Sequence, residues 1–112
     1  MCSSDLNGIA GIETALSVAL AARAAGELSL ATIASAFVTG PASLLPAAHA
    51  PHGISVGAPA DLVVVAPADS WTPHRDTLAG KSLNTPLVGR VLPGVVRLTL
   101  VNGVVAWEAP GD

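Results

Sequence analysis

Between residues 57 and 67 the chain reads Gly-Ala-Pro-Ala-Asp-Leu-Val-Val-Val-Ala-Pro, and this stretch constrains the fold more than any other. Leu62, Val63, Val64 and Val65 form an unbroken apolar run, mostly β-branched, with Gly57 and Pro59 ahead of it and Pro67 after it. A run that short predicts a strand covered on both faces rather than a helix. Before it the apolar residues recur at helical spacing, and after it they gather in short runs between turn residues. The stretch therefore marks a change from helix to sheet. Asp61, immediately ahead of the run, is a residue able to cap or turn the chain.

Taken in order, residues 1–6 show no pattern. Ile9, Ile12, Leu16 and Leu20, with Ala15, Ala19 and Ala22 between them, have the helical period and predict a first helix closed by Gly26. Gly8 and Gly11 stand at its start, where exposed backbone N–H groups could face a ligand or simply permit a tight turn. Ser29 is a good N-cap for a second helix carrying Leu30, Ile33, Ala34, Phe37 and Val38. Gly40 and Pro41 should stop it, with a short helical turn over 42–45. A linker over 46–53 then leads out of the helical layer. Strands are expected at 54–56, at 62–65 as the central strand, at 94–101 and at 104–107. The last two meet at Asn102-Gly103, the strongest short hairpin signal in the chain. Residues 67–89 form a long polar passage with no period. Such a loop is uncommon inside a compact domain and must be pinned to something.

Composition narrows the functional classes. A chain of 112 residues has room for one domain or for a piece of a larger one. Charged residues make up 12%, against roughly 25% in ordinary soluble domains, while apolar residues make up 51%. That balance points to surfaces meant to be covered. A net charge of −3 leaves no basic footprint for nucleic acid. Cys2 is the only cysteine, so no internal disulfide forms and a free thiol is expected. The longest apolar stretch, 15–22, falls short of the about 20 residues needed to span a bilayer. The start of the chain lacks a basic n-region. The expectation is a cytoplasmic protein without membrane or nucleic-acid contacts.

The residues that could carry chemistry do not assemble into a site on paper. His49 and His52 could be a metal pair, but Pro51 between them puts them in a loop without acidic partners. His74 beside Arg75 and Asp76 reads as solvated surface. Asp61, Asp69, Asp76 and Glu108 are scattered over different loops and make no acid–base pair. No phosphate loop of the Walker type and no nucleophile elbow is present. Glu13 reads as structural, a carboxylate in a first helical turn favoured by the helix dipole. Lys81 and Asn84 are expected to satisfy backbone groups in the long loop. No catalytic residue and no metal ligand is assigned in this chain.

Several segments together carry a resemblance. Asn-Gly-Ile-Ala-Gly-Ile-Glu-Thr-Ala-Leu at 7–16, Gly-Glu-Leu-Ser-Leu at 26–30, Gly-Pro-Ala-Ser-Leu-Leu at 40–45, Gly-Ala-Pro-Ala-Asp-Leu-Val-Val-Val at 57–65, Lys-Ser-Leu-Asn-Thr-Pro-Leu-Val-Gly at 81–89 and Gly-Val-Val-Arg-Leu-Thr-Leu-Val-Asn-Gly-Val-Val at 94–105 occur in the order seen at the carboxyl end of dihydroorotases. The first and fifth are the specific ones. The Ala-Asp-Leu strand is shared across cyclic amidohydrolases, allantoinases and hydantoinases included.

The resemblance implies an α+β fragment: the last helices of a (β/α)8 TIM-type amidohydrolase barrel over 7–46, then short strands of the flanking β-sandwich and a long loop over 47–112, after an unmatched start at 1–6. It implies an enzyme of pyrimidine biosynthesis in which zinc, held by histidines, an aspartate and often a carboxylated lysine, activates water for attack on the cyclic amide of dihydroorotate. The reverse reaction closes carbamoyl aspartate. The family's His-x-His and other ligands have no counterpart here, so the fragment alone should be inactive. Asn7 and Gly8 match the loop that lends backbone groups to the substrate. Gly40 and Ser43 replace the asparagine and arginine of the usual Asn-Pro-Ala-Arg, and Ala66 replaces an aspartate. A noncatalytic scaffold binding aspartate carbamoyltransferase and an allantoinase or hydantoinase relative are the alternatives; as partners the resemblance implies the small-molecule substrate and either a second copy of the chain, in a homo-oligomer, or aspartate carbamoyltransferase.

Overall fold

A computed structural model describes residues 8–47 and 53–111. Two helical segments lead into a three-stranded antiparallel sheet. Helix α1 spans Ala15–Ala24. Its predicted start near Ile9 is too early. Ile9 and Ile12 lie ahead of the helix, and Ile12 is 93% exposed, because residues 8–13 are drawn away by bonds to the long loop described below. The far end is as expected. Gly26 N–H donates to the Arg23 carbonyl and Glu27 N–H to that of Ala22, the two reverse bonds that close a helix.

Ser29 caps helix α2, Leu30–Ala34, its hydroxyl accepting from Thr32 N–H at 3.1 Å. Gly40 and Pro41 do not end this segment, against expectation. The chain widens into a π-helical turn, Ser35–Thr39, and then runs on through the short helix α3, Gly40–Ala42. Proline in a regular helix collides with the carbonyl four residues back and removes a donor. In the wider turn Gly40 N–H donates to Ser35, five residues back, and the helix passes the proline without breaking.

The sheet is formed by β1, Leu62–Trp71, β2, Leu92–Val101, and β3, Val104–Glu108, in that order across the sheet. The apolar run that dominates the sequence is thus on an edge, and β2 is the central strand. Nor is the run covered on both faces: Val63 is 56% exposed and Val64 49%. The edge position explains why β1 continues through Pro67, which has no N–H to give a neighbour. There the pairing jumps from Ala66 opposite Val95 to Ser70 opposite Pro93, so the proline sits in a bulge. No strand forms over 54–56. Ile54 and Val56 are exposed, and Ser55 instead accepts from Ala58 N–H in a turn.

The hairpin between β2 and β3 is as the sequence predicts. Val101 pairs with Val104, and Asn102 and Gly103 both have positive φ, 49° and 78°, as a two-residue turn of this hand requires. Asp61 fastens it from β1's side, its carboxylate accepting from Asn102 N–H at 2.7 Å, while Ala60 O accepts from Gly103 N–H.

Helix α1 lies against β2. Among the described residues Leu20, Ile33 and Leu92 are the buried large apolar side chains, joined by Thr14, Ser17 and Pro73. Helix and strand meet closely at Gly94, whose φ is +90° and where a Cβ would collide with Leu20 Cδ1. Beside it Trp71 Nε1 donates to Ser17 Oγ at 2.9 Å, and Ser17 Oγ donates to the Gly94 carbonyl. A small polar knot thus joins helix, edge strand and central strand. The rest of the sheet is open, with Val101, Val104, Val105 and Trp107 exposed.

Candidate functional site

The long loop, residues 72–91 between β1 and β2, is pinned as its length requires. Its ends are drawn together by Gly89 N–H donating to the Pro73 carbonyl. Inside it Thr77 Oγ1 accepts from His74 N–H and donates to the Thr72 carbonyl, and Arg75 Nη1 donates to the Lys81 carbonyl.

Two residues fasten this loop to the start of α1. Glu13 accepts from Ala79 N–H at 2.8 Å through one carboxylate oxygen and from Gly80 N–H at 2.9 Å through the other. Asn84 Nδ2 donates to the Gly8 carbonyl at 2.9 Å, and the Asn84 carbonyl accepts from Ala10 N–H at 2.8 Å. The structural reading of Glu13 therefore holds, but its cause differs from expectation. Thr14 is the N-cap and the first turn of α1 has no acidic residue, so the carboxylate serves two loop amides rather than the helix dipole. Asn84 satisfies backbone groups as expected. Lys81 contributes its carbonyl.

Of the substrate-loop pair, Gly8 is exposed with its carbonyl held by Asn84, and Asn7 lies outside the described residues. His49 and His52 lie outside them as well. His74 is exposed and its Nδ1 accepts from Asp76 N–H. Asp69 forms an ion pair with Arg97 across β1 and β2, and Asp61 holds the hairpin. Asp61 and Asp69 thus have separate partners. Among the described residues no three His, Cys, Asp or Glu side chains lie together as a metal site. No described helix is long and apolar enough to cross a membrane.

A pocket of about 370 Å³ opens beside the pinned loop, with Glu13, Leu16, Trp71, Ala79, Val96 and Trp107 among its walls. Its lining is mainly apolar, and Glu13 is already committed to two N–H groups. The pocket offers a place to pack against, with no free acid or base in its wall. The loop's need for an anchor is legible in its length, but its anchoring partners lie 66, 67 and 76 residues away in the chain.

No protein-family model matches the chain. Comparison with curated proteins gives clear matches. The dihydroorotase of Geobacter metallireducens is 34% identical over 103 residues, and that of Solibacter usitatus 37% over 102. These alignments take in 92% and 90% of the chain. The chain is similar in sequence to dihydroorotases over about nine-tenths of its own length. A third, from Aquifex aeolicus, is 34% identical over 101 residues. The chain spans about a quarter of the length of the dihydroorotases it matches: 24%, 23% and 24% respectively.

Proposed function

We propose that the chain is the carboxyl-terminal portion of a dihydroorotase: residues 7–46 as the last helices of a (β/α)8 barrel and residues 47–112 as part of its flanking β-sandwich. The observation that carries this reading is sequence similarity to dihydroorotases over nine-tenths of the chain. Two features support it. The segments at 7–16 and 81–89, the specific ones, touch each other through Asn84, which binds Gly8 and Ala10, and Glu13 binds Ala79 and Gly80 just ahead of the second segment. The second feature is apolar surface, including Phe37, Val38, Leu44 and Leu45 on the helical side and Val63, Val104 and Trp107 on the sheet, which suits a piece that the rest of an enzyme would cover.

The parent reaction is the reversible hydrolysis of dihydroorotate in pyrimidine biosynthesis, in the cytoplasm. Water adds to the ring amide carbonyl, the carbon–nitrogen bond breaks, and carbamoyl aspartate results. The described residues do not fit the zinc of such enzymes, and no proton transfer or metal step is assigned to them. Their part is to hold the loop at Gly8 toward the substrate and to close the barrel, so the chain by itself is inactive.

The test is the full-length gene product. Its sequence ahead of Asn7 should contain a His-x-His pair with further histidines, a lysine and an aspartate, and metal analysis should find bound zinc. Absence of both, with capture of aspartate carbamoyltransferase, would replace this reading by the noncatalytic scaffold.

A further inference from the structure

Asn84 brackets Ile9. Its side-chain amide holds the carbonyl of Gly8, and its own carbonyl takes the N–H of Ala10. In a planar trans peptide the carbonyl and the following N–H point in opposite directions. With the Gly8 carbonyl turned onto Asn84, the Ile9 N–H is turned to the other side, where it has no hydrogen-bond partner among the described residues. Gly8 is exposed and Ile9 is 61% exposed, so this peptide has few packing contacts of its own to fix its plane. Glu13 holds the other end of the same segment through Ala79 and Gly80.

We propose that Asn84 is a positioning residue for the substrate: it fixes the Gly8–Ile9 peptide so that the Ile9 N–H is presented as a hydrogen-bond donor to a carboxylate or ring-carbonyl oxygen. Dihydroorotate carries both kinds of oxygen. This inference rests on the dihydroorotase reading and adds to it the residue that orients the substrate loop. A donor held in place before binding loses little entropy when the ligand arrives, so removing the clamp weakens binding and leaves the bond-breaking step alone.

The experiment uses the full-length gene product and N84D, which replaces the donating amide by a carboxylate that repels the Gly8 carbonyl. For dihydroorotate, KM should rise roughly ten-fold, one hydrogen bond's worth, with kcat little changed. Zinc content and melting temperature should match the wild type. Hydrogen exchange of peptides covering residues 8–12 should quicken. An unchanged KM in folded, zinc-loaded N84D, or a fall in kcat accompanied by loss of zinc, overturns the proposal. A wild-type protein that turns over neither dihydroorotate nor carbamoyl aspartate overturns the dihydroorotase reading instead. Hydrogen exchange then decides the clamp separately, and equal exchange in both proteins removes it.

Discussion

Replacing Gly94 by alanine should loosen the contact on which the helix and sheet depend. Two costs are distinct. At φ +90° an L-residue meets its own backbone, which costs about 1–2 kcal/mol. The new methyl would also collide with Leu20 Cδ1, the end of a side chain that is itself buried and has little room to turn aside, and forcing a methyl into a packed site costs about 1–3 kcal/mol. The sum, about 2–5 kcal/mol, is a large share of the stability of an ordinary domain. Because a large protein need not melt in one step, the suitable measurement is amide hydrogen exchange at Val95 and Val96 within the full-length protein. A double variant separates the costs: L20A removes the collision, so G94A should cost only its backbone part in that background. If G94A changes the opening free energy by less than about 0.5 kcal/mol, the value typical of indifferent surface positions, the reasoning is refuted. Equal costs in both backgrounds would refute the collision alone.

Ser17→Ala should destabilise by about 1–3 kcal/mol, because it leaves the Trp71 indole N–H without its partner in a part-buried site; denaturant unfolding followed by tryptophan fluorescence checks it. The chain expressed alone should be poorly soluble, with Ile12, Leu44, Val104 and their neighbours in water. A monomer in sedimentation, with a sharp melt, would count against the covered-fragment account. Metal analysis of the chain alone should find no stoichiometric zinc, and a signal that disappears on changing His49 and His52 would contradict this.

Features governed by a few adjacent residues were legible in the sequence. Asn102-Gly103 makes its hairpin because the turn needs only two positive φ values, and Ser29 caps its helix by a bond three residues long. Features that depend on distant pairing were not. Nothing in the run 62–65 tells that β2 separates it from β3, so a strand with a central composition lies at an edge. The apolar period from Ile9 to Leu20 suits a helix throughout, yet Asn84 and the loop amides at Glu13 hold its first part out. Gly40 and Pro41 read as a stop because the sequence does not announce the π turn that absorbs them. The candidate site followed the same division. Gly8 was marked by its motif and the loop's need for anchors by its length, whereas the anchoring bonds span 66 to 76 residues and leave no local pattern.

If this chain completes a dihydroorotase, turnover by the full-length gene product must show it. Assayed in both directions, the protein should hydrolyse dihydroorotate and cyclise carbamoyl aspartate, and leave allantoin and hydantoin untouched. A folded, zinc-loaded protein that hydrolyses allantoin or hydantoin but not dihydroorotate would contradict the account.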